Sequence, residues 1–204
     1  MPTFKIESLY EGFVGGVDEV GRGPWAGPVV AAAAVFLETP PLKLLNSIED
    51  SKKISKPKRE MIYEELTKLE SFHYGVGLAS VEEIDRLNIS KATFLAMKRA
   101  VELLPQVPQT LLIDGKYIPS FEGIQTRAVI GGDGISLSIA AASILAKVTR
   151  DQIMETLALE YPHFGWERNA GYGTAEHQRS LKIHGVTPHH RRSFAPIRAL
   201  LNAS

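Results

Sequence analysis

The chain reads as an α/β protein whose sheet is covered by helices on both faces. Two observations predict this. Short apolar runs end in acids or glycine turns, as at 14–18 (VGGVD) and 110–114 (TLLID), and stretches with helical caps and helical apolar spacing lie between and after them. The 204 residues hold no internal repeat and no low-complexity tract, so a single domain is expected, with a core over about 1–160 and a helical segment over about 161–204.

Each element has its own signal. Strands at 14–18 and 29–37 are joined by a glycine-rich loop, and Pro40 with Pro41 ends the second. Ser55 caps a helix running to about Leu69, with Met61, Ile62, Leu66 and Leu69 as its buried stripe. Phe72, Tyr74, Val76 and Leu78 alternate as a strand. Ser80 and Glu83 form a capping box for a short helix, and Ser90 caps another that runs through Leu104 until Pro105 stops it. Residues 110–114 are a buried strand ending in an acid, and 124–130 are a further strand. The turn GGDG introduces a long helix over about 135–159, carrying Ile139, Ala142, Ala146, Ile153 and Leu157. Its small residues at 140–143 allow close packing on the sheet. Beyond Tyr161, glycines, aromatics and histidines precede a helix capped by Thr174 and closed by Gly185.

Composition sets the outer bounds. Hydrophobic residues make up 44% of the chain, enough for a sizeable core, yet the longest apolar run, 29–37, is far short of a membrane span. The N-terminus MPTFKIESLY has no signal-peptide apolar region, and with no cysteine there is no disulfide, so a cytoplasmic location is the default. Zero formal net charge argues against an unselective polyanion binder. The charges are nevertheless uneven: Lys52, Lys53, Lys56, Lys58 and Arg59 crowd one segment, and 163–198 carries six Lys or Arg against two acids. Local basic patches around an acidic centre suit a protein that grips phosphates while holding cations.

The segment GVDEVGRGPWAGPVV at 16–30 is the most informative stretch. Asp18 and Glu19 stand where a buried strand would continue with apolar residues, and burying bare charge is costly. Hard oxygen ligands favour Mg²⁺ or Mn²⁺. Neighbouring side chains on a strand point to opposite faces, so both acids serve one site only if the strand ends there, bulges or lends a carbonyl. Asp114 ends a strand as Asp18 does, and Asp133 sits between glycines just before a helix. Taken singly, each is an ordinary turn or cap residue. Taken together they conflict, because two carboxylates about 4 Å apart repel by about 4 kcal/mol at an effective dielectric near 20. Protonation or divalent cations must relieve such a cluster.

Seven segments now stand in order along nearly the whole chain: GVDEVGRGPWAGPVV, DSKKIS at 50–55, LLIDG at 111–115, GGD at 131–133, SIAAASILAKVTRD at 138–151, GYGT at 171–174 and HHRRSF at 189–194. In these the chain resembles bacterial ribonuclease HII, the type 2 ribonuclease H family. A lone DE or GxG is weak, but the ordered set is specific.

The resemblance implies a ribonuclease H-like mixed central sheet flanked by helices, with a C-terminal helical extension. It implies that Asp18, Glu19, Asp114 and Asp133 bind two divalent ions, Mg²⁺ or Mn²⁺, in a metal-dependent endoribonuclease. Its substrates would be the RNA strand of RNA/DNA hybrids and single ribonucleotides embedded in duplex DNA, leaving 5′-phosphate and 3′-hydroxyl ends. Gly21, Arg22 and Gly23 match the element that reads the 2′-hydroxyl, the one group separating RNA from DNA at a given position. Arg22 also suits an ion pair with Glu19. Tyr172 matches the tyrosine that stacks on the sugar after the junction. Ser51, Lys52, Lys53, Ser143, Lys147, Arg191 and Arg192 are plausible phosphate contacts, as are His189 and His190, while Lys56, Lys58 and Arg59 read as a solvated helix face. Asp151 reads as structural, paired with Arg150 or Lys147. The family suggests a monomer; a replication-clamp contact is not readable from the residues.

One departure stands out. Family members often carry Lys or Arg two residues after the GD acid, where this chain has Ile135, and a basic residue just before the motif is replaced by Gly131 and Gly132. Weaker or less salt-dependent substrate binding is expected on that side. Two other classes compete with the main reading: a DNA nuclease or recombinase of the same fold, which would ignore the sugar, and a non-catalytic nucleic-acid-binding module, which would need no metal.

Overall fold

The computed structural model describes residues 1–48 and 54–203. Along the chain run β1 (Val14–Val20), β2 (Val29–Phe36), α1 (Leu42–Leu45), α2 (Lys56–Thr67), β3 (Phe72–Ala79), α3 (Val81–Leu87), α4 (Ile89–Glu102), β4 (Thr110–Asp114), β5 (Gln125–Val129), α5 (Leu137–Glu160), α6 (Trp166–Asn169), α7 (Ala175–His184) and α8 (Ala195–Ala203). The sheet has the order β3-β2-β1-β4-β5. It is mixed: β1 pairs antiparallel with β2 and parallel with β4, which in turn pairs parallel with β5.

Helices cover both faces, which explains why every residue of β2 is buried. On one face Val30, Ala32 and Ala34 pack with Leu137, Ala141 and Leu145 of α5 and with Ile62 and Leu66 of α2. On the other, Ala31, Ala33 and Val35 pack with Ala92, Ala96, Met97 and Ala100 of α4. Small residues in the strands let the helix backbones come close. A Cβ on Gly16 would stand 2.1 Å from the Ser138 carbonyl carbon, and one on Gly77 would stand 2.2 Å from the Ala96 oxygen. Glu7 fastens the start of α5, accepting from Ser136 Oγ at 2.6 Å and Ser138 N at 3.0 Å.

The structure corrects several expected details. The first strand does not stop at Asp18 but runs in regular register to Val20. Met61 is 47% exposed and Arg59 takes the inward place on α2, donating to the Ile54 carbonyl at 3.2 Å and facing Asp151 at 3.8 Å, so Arg59 is not on a solvated face. The strand expected from Phe72 to Leu78 forms as β3, and Gly75, Gly77 and Ala79 on its other face are buried because α4 presses onto that backbone. Asn88, not Ser90, caps α4: its Oδ1 accepts from Ser90 N and Lys91 N, and its backbone takes φ 68° to turn between α3 and α4. The capping box of Ser80 with Glu83 and the Thr174 cap form as expected.

The C-terminal helices gather round Trp166. Met154 and Ala158 of α5 pack with Phe164, Trp166, Leu181 and Ile197. Asp85 of α3 anchors the approach to α8, accepting from Arg192 N, Ser193 N and Ser193 Oγ. Among the described residues no helix is long and apolar enough to cross a membrane.

Candidate active site at the ends of β1 and β4

Asp18 and Glu19 occupy successive positions on an unbulged strand and face opposite sides of the sheet. Asp18 lies opposite Ala32 on the α5 side, where Ser143 of α5 hydrogen-bonds its carboxylate. Glu19 lies opposite Ala31 on the α4 side. Both still meet Asp114, because β4 stops there: its pairing with β1 ends at Val17 opposite Ile113, leaving Glu19 without a strand neighbour on that side. Neither an early strand end nor a bulge is needed.

Burial holds the Asp18 carboxyl well above the usual carboxylate range, and the charges of Glu19 and Asp114 push it the same way. Burial raises Glu19 as well, with Asp114 adding and Arg22 opposing. Each of the three acids faces a donor of the protein's own. Asp18 Oδ1 accepts from Glu19 N at 2.7 Å, Glu19 Oε1 pairs with Arg22 Nη1 at 3.2 Å, and Asp114 Oδ1 accepts from Gly132 N at 2.7 Å. That last bond ties the buried Asp133, the next residue in a 3-10 turn over Gly132–Gly134, to the same strand end. Among the described residues no three acidic or imidazole side chains already stand at distances that would hold one ion. The donor set is nevertheless oxygen only and its charge is poorly compensated, which fits a hard divalent cation. A cleft of about 280 Å³ opens beside it, lined by Glu19, Arg22, Thr93, Phe94, Met97 and Asp114 among others.

Beyond Val20 the chain turns at Gly21, whose φ of 92° favours glycine. Arg22 and Gly23 are exposed. Tyr172, half exposed, comes up from the C-terminal segment so close that a Cβ on Gly23 would sit 3.3 Å from its ring. The loop and Tyr172, 149 positions apart along the chain, thus form one surface beside the acids.

The other expected contacts divide. Ser143 is buried and bonded to Asp18, so it supports the acid rather than meeting phosphate. Lys147, not Arg150, pairs with Asp151, at 2.6 Å, and Arg59 faces the other carboxylate oxygen at 3.8 Å. Arg191 is fully buried and cannot grip a backbone from there, and the same holds for His190; Arg192 remains exposed. Ser51, Lys52 and Lys53 lie outside the described residues.

Sequence reasoning missed the floor under this surface. His190 Nδ1 accepts from Thr187 N at 3.0 Å, so its Nε2 carries the proton and donates to His177 Nε2 at 2.9 Å. His177 Nε2 also accepts from Trp166 Nε1 at 3.3 Å, and its Nδ1 donates to the Tyr172 carbonyl at 2.9 Å. Both imidazoles are neutral. Burial lowers both, His190 to about 3 with the neighbouring His177 adding to the effect. The only signal in the chain was five of its six histidines lying beyond residue 162, which spacing alone does not resolve into a pair.

The chain is similar to known proteins over nearly its whole length. The family model for Ribonuclease HII matches residues 15–197. The chain is 53% identical over 203 residues to Ribonuclease HII of Gluconobacter oxydans (strain 621H), covering 100% of this chain and 98% of that protein. It superposes on the crystal structure of ribonuclease H2 from Pyrococcus horikoshii OT3 with a TM-score of 0.77 at 28% identity, covering 94% of this chain and 98% of the other. A structure of the PCNA:RNase HII complex from Archaeoglobus fulgidus is similar with a TM-score of 0.72 at 25% identity, covering 88% of this chain and 93% of the other. From the match of fold, of length and of about half the residues, the chain belongs to the ribonuclease HII family, a family of ribonucleases.

Proposed function

We propose that this protein is a metal-dependent endonuclease that hydrolyses the RNA strand of RNA/DNA hybrids and incises at single ribonucleotides in duplex DNA, leaving 5′-phosphate and 3′-hydroxyl ends. The observation that carries the reading is the crowding of Asp18, Glu19 and Asp114 where β1 and β4 end, with burial and the neighbouring acids holding the Asp18 carboxyl well above its ordinary range. Those three residues and Asp133 would hold two divalent cations, Mg²⁺ or Mn²⁺. Bound there, the ions supply Lewis acidity for the attacking water and the departing 3′ oxygen.

The protein's own groups position the substrate. Ser143 holds the Asp18 carboxylate in place, and Gly132 N holds that of Asp114. The exposed residues Arg22 and Gly23 reach the 2′-hydroxyl, a donor and acceptor that DNA lacks. Tyr172, whose ring lies beside Gly23, offers that ring to the next sugar. Arg192, exposed near the same segment, and Ser51, Lys52 and Lys53 meet phosphates. We place the protein in the cytoplasm as a monomer.

The test is cleavage of a duplex carrying one ribonucleotide, with and without added divalent metal. Cutting only with metal, and no cutting once that ribonucleotide is replaced by a deoxyribonucleotide, is expected. Cutting of the all-DNA duplex would favour a DNA nuclease, and binding without cutting under any metal would favour a binding module.

A further inference from the structure

Two guanidinium groups lie inside the protein beneath the loop over 21–28, and among the described residues neither has a carboxylate within salt-bridge distance. They face backbone instead. Arg191 donates to the carbonyls of Gly21 at 2.6 Å, Arg22 at 3.0 Å and Gly27 at 2.8 and 2.9 Å. Arg150 donates to those of Ala26 at 3.1 Å, Pro28 at 3.0 Å and Ala170 at 2.9 Å. Six carbonyls are thereby tied to two rigid forks, five from the loop and one from the turn leading to Tyr172.

Further bonds lock the same pieces together. Trp25 N donates to the Gly171 carbonyl at 2.8 Å, Gly27 N to that of His189 at 2.9 Å, and Arg191 N to that of Trp25 at 2.8 Å. Space is as tight as the bonding: a Cβ on Gly21 would stand 2.2 Å from Arg150 Nε. Burying a cation without an anion is costly unless every donor is matched, and here carbonyl dipoles aimed inward perform the matching. A planar fork presents its donors in one preset geometry that matches several fixed acceptors, which a compact ammonium on a flexible stem does not.

We propose that Arg150 and Arg191 are positioning residues that set the discrimination between ribonucleotide and deoxyribonucleotide, by fixing Gly21, Arg22 and Gly23 against Tyr172. The proposal rests on the functional reading above and adds to it the parts that make the loop rigid. Neither arginine touches nucleic acid. Each acts through the backbone whose exposed side meets the 2′-hydroxyl, and shape held to fractions of an ångström is what a single hydroxyl requires.

The test compares dissociation constants in EDTA for two duplexes that differ by one 2′-hydroxyl. The ratio of constants does not depend on how much of a preparation is folded, so loss of stability alone leaves it unmoved. For the wild type, tighter binding of the ribonucleotide duplex is expected; equal binding would instead refute the functional reading on which the proposal rests. For Arg191→Lys, and separately for Arg150→Lys, the preference is expected to shrink at least about 5-fold with the affinity for all-DNA duplex unchanged. An undiminished preference in either folded variant overturns the proposal. If both variants fail to fold, amide exchange in the wild type decides: protection of Trp25 and Gly27 by more than about 100-fold is expected, and rapid exchange there overturns the rigid brace.

Discussion

Two neighbouring regions treat buried charge in opposite ways. At the ends of β1 and β4, like charges meet with little relief, and the Asp18 carboxyl is driven well above its ordinary range. Beneath the loop over 21–28, cations are buried as deeply, yet their donors meet backbone carbonyls. The first region is left in conflict that a ligand can resolve; the second is resolved by the fold itself. The difference separates a site that acts from the frame that holds it.

The sharpest way to break this contrast is Asp18→Asn. Cleavage is expected to fall by more than about 100-fold, beyond the roughly 10–100-fold lost when a group that only supports a metal ligand is removed. The metal-free protein should melt at a higher temperature at pH 7, because the substitution removes a charge that burial disfavours; a lower melting temperature would show that the acids are not in conflict. The opposite sign is expected across the boundary. Arg191→Met leaves buried carbonyls unmatched and should cost about 3–5 kcal/mol, lowering the melting temperature by roughly 6–20 °C for a chain of this length. A calorimetric scan that shows no change would mean that the carbonyls find other donors.

Tyr172→Ala tests where the two regions join. It should slow cleavage by about 10–100-fold while leaving manganese uptake in calorimetry intact, since the side chain offers stacking and not ligands. Unchanged turnover would return Tyr172 to a packing role. The smallest expected effect is that of pH on the histidine pair. Both imidazoles are neutral in the fold, so protonation favours the unfolded chain. Their stabilisation is complete above the ordinary histidine value of 6.5 and is lost as pH falls toward the value of about 3 for His190. Between 6.5 and 5 His190 alone should cost about 2 kcal/mol, at 1.36 kcal/mol per pH unit. A His190→Gln variant whose stability falls equally over that window would assign the loss elsewhere.

Much of the frame was legible in the residues. The run TLLID predicted β4 with its bounds, and Ser80 with Glu83 predicted the start of α3, because both signals are local. Caps compete more subtly: Asn88 prevails over Ser90 because the tight turn between α3 and α4 needs a residue that tolerates positive φ. Met61 was misplaced because periodicity says that a face is apolar, not which neighbour covers it. At the site, the acids were found as residue types, but the way in which Asp18 and Glu19 both come to feel Asp114 was not, since it depends on where β4 ends.

By itself, then, the order of residues determined the alternation of strands and helices, the caps at Ser80 and Thr174, and which carboxylates were candidates, all of which depend on near neighbours along the chain. Only the tertiary structure decided that Arg191 and His190 lie inside rather than against nucleic acid, and that Ser143 serves Asp18. The reason is physical. A basic side chain looks the same in sequence whether phosphate or a buried carbonyl receives it, and the carbonyls that receive Arg191 belong to residues 164 and more positions away.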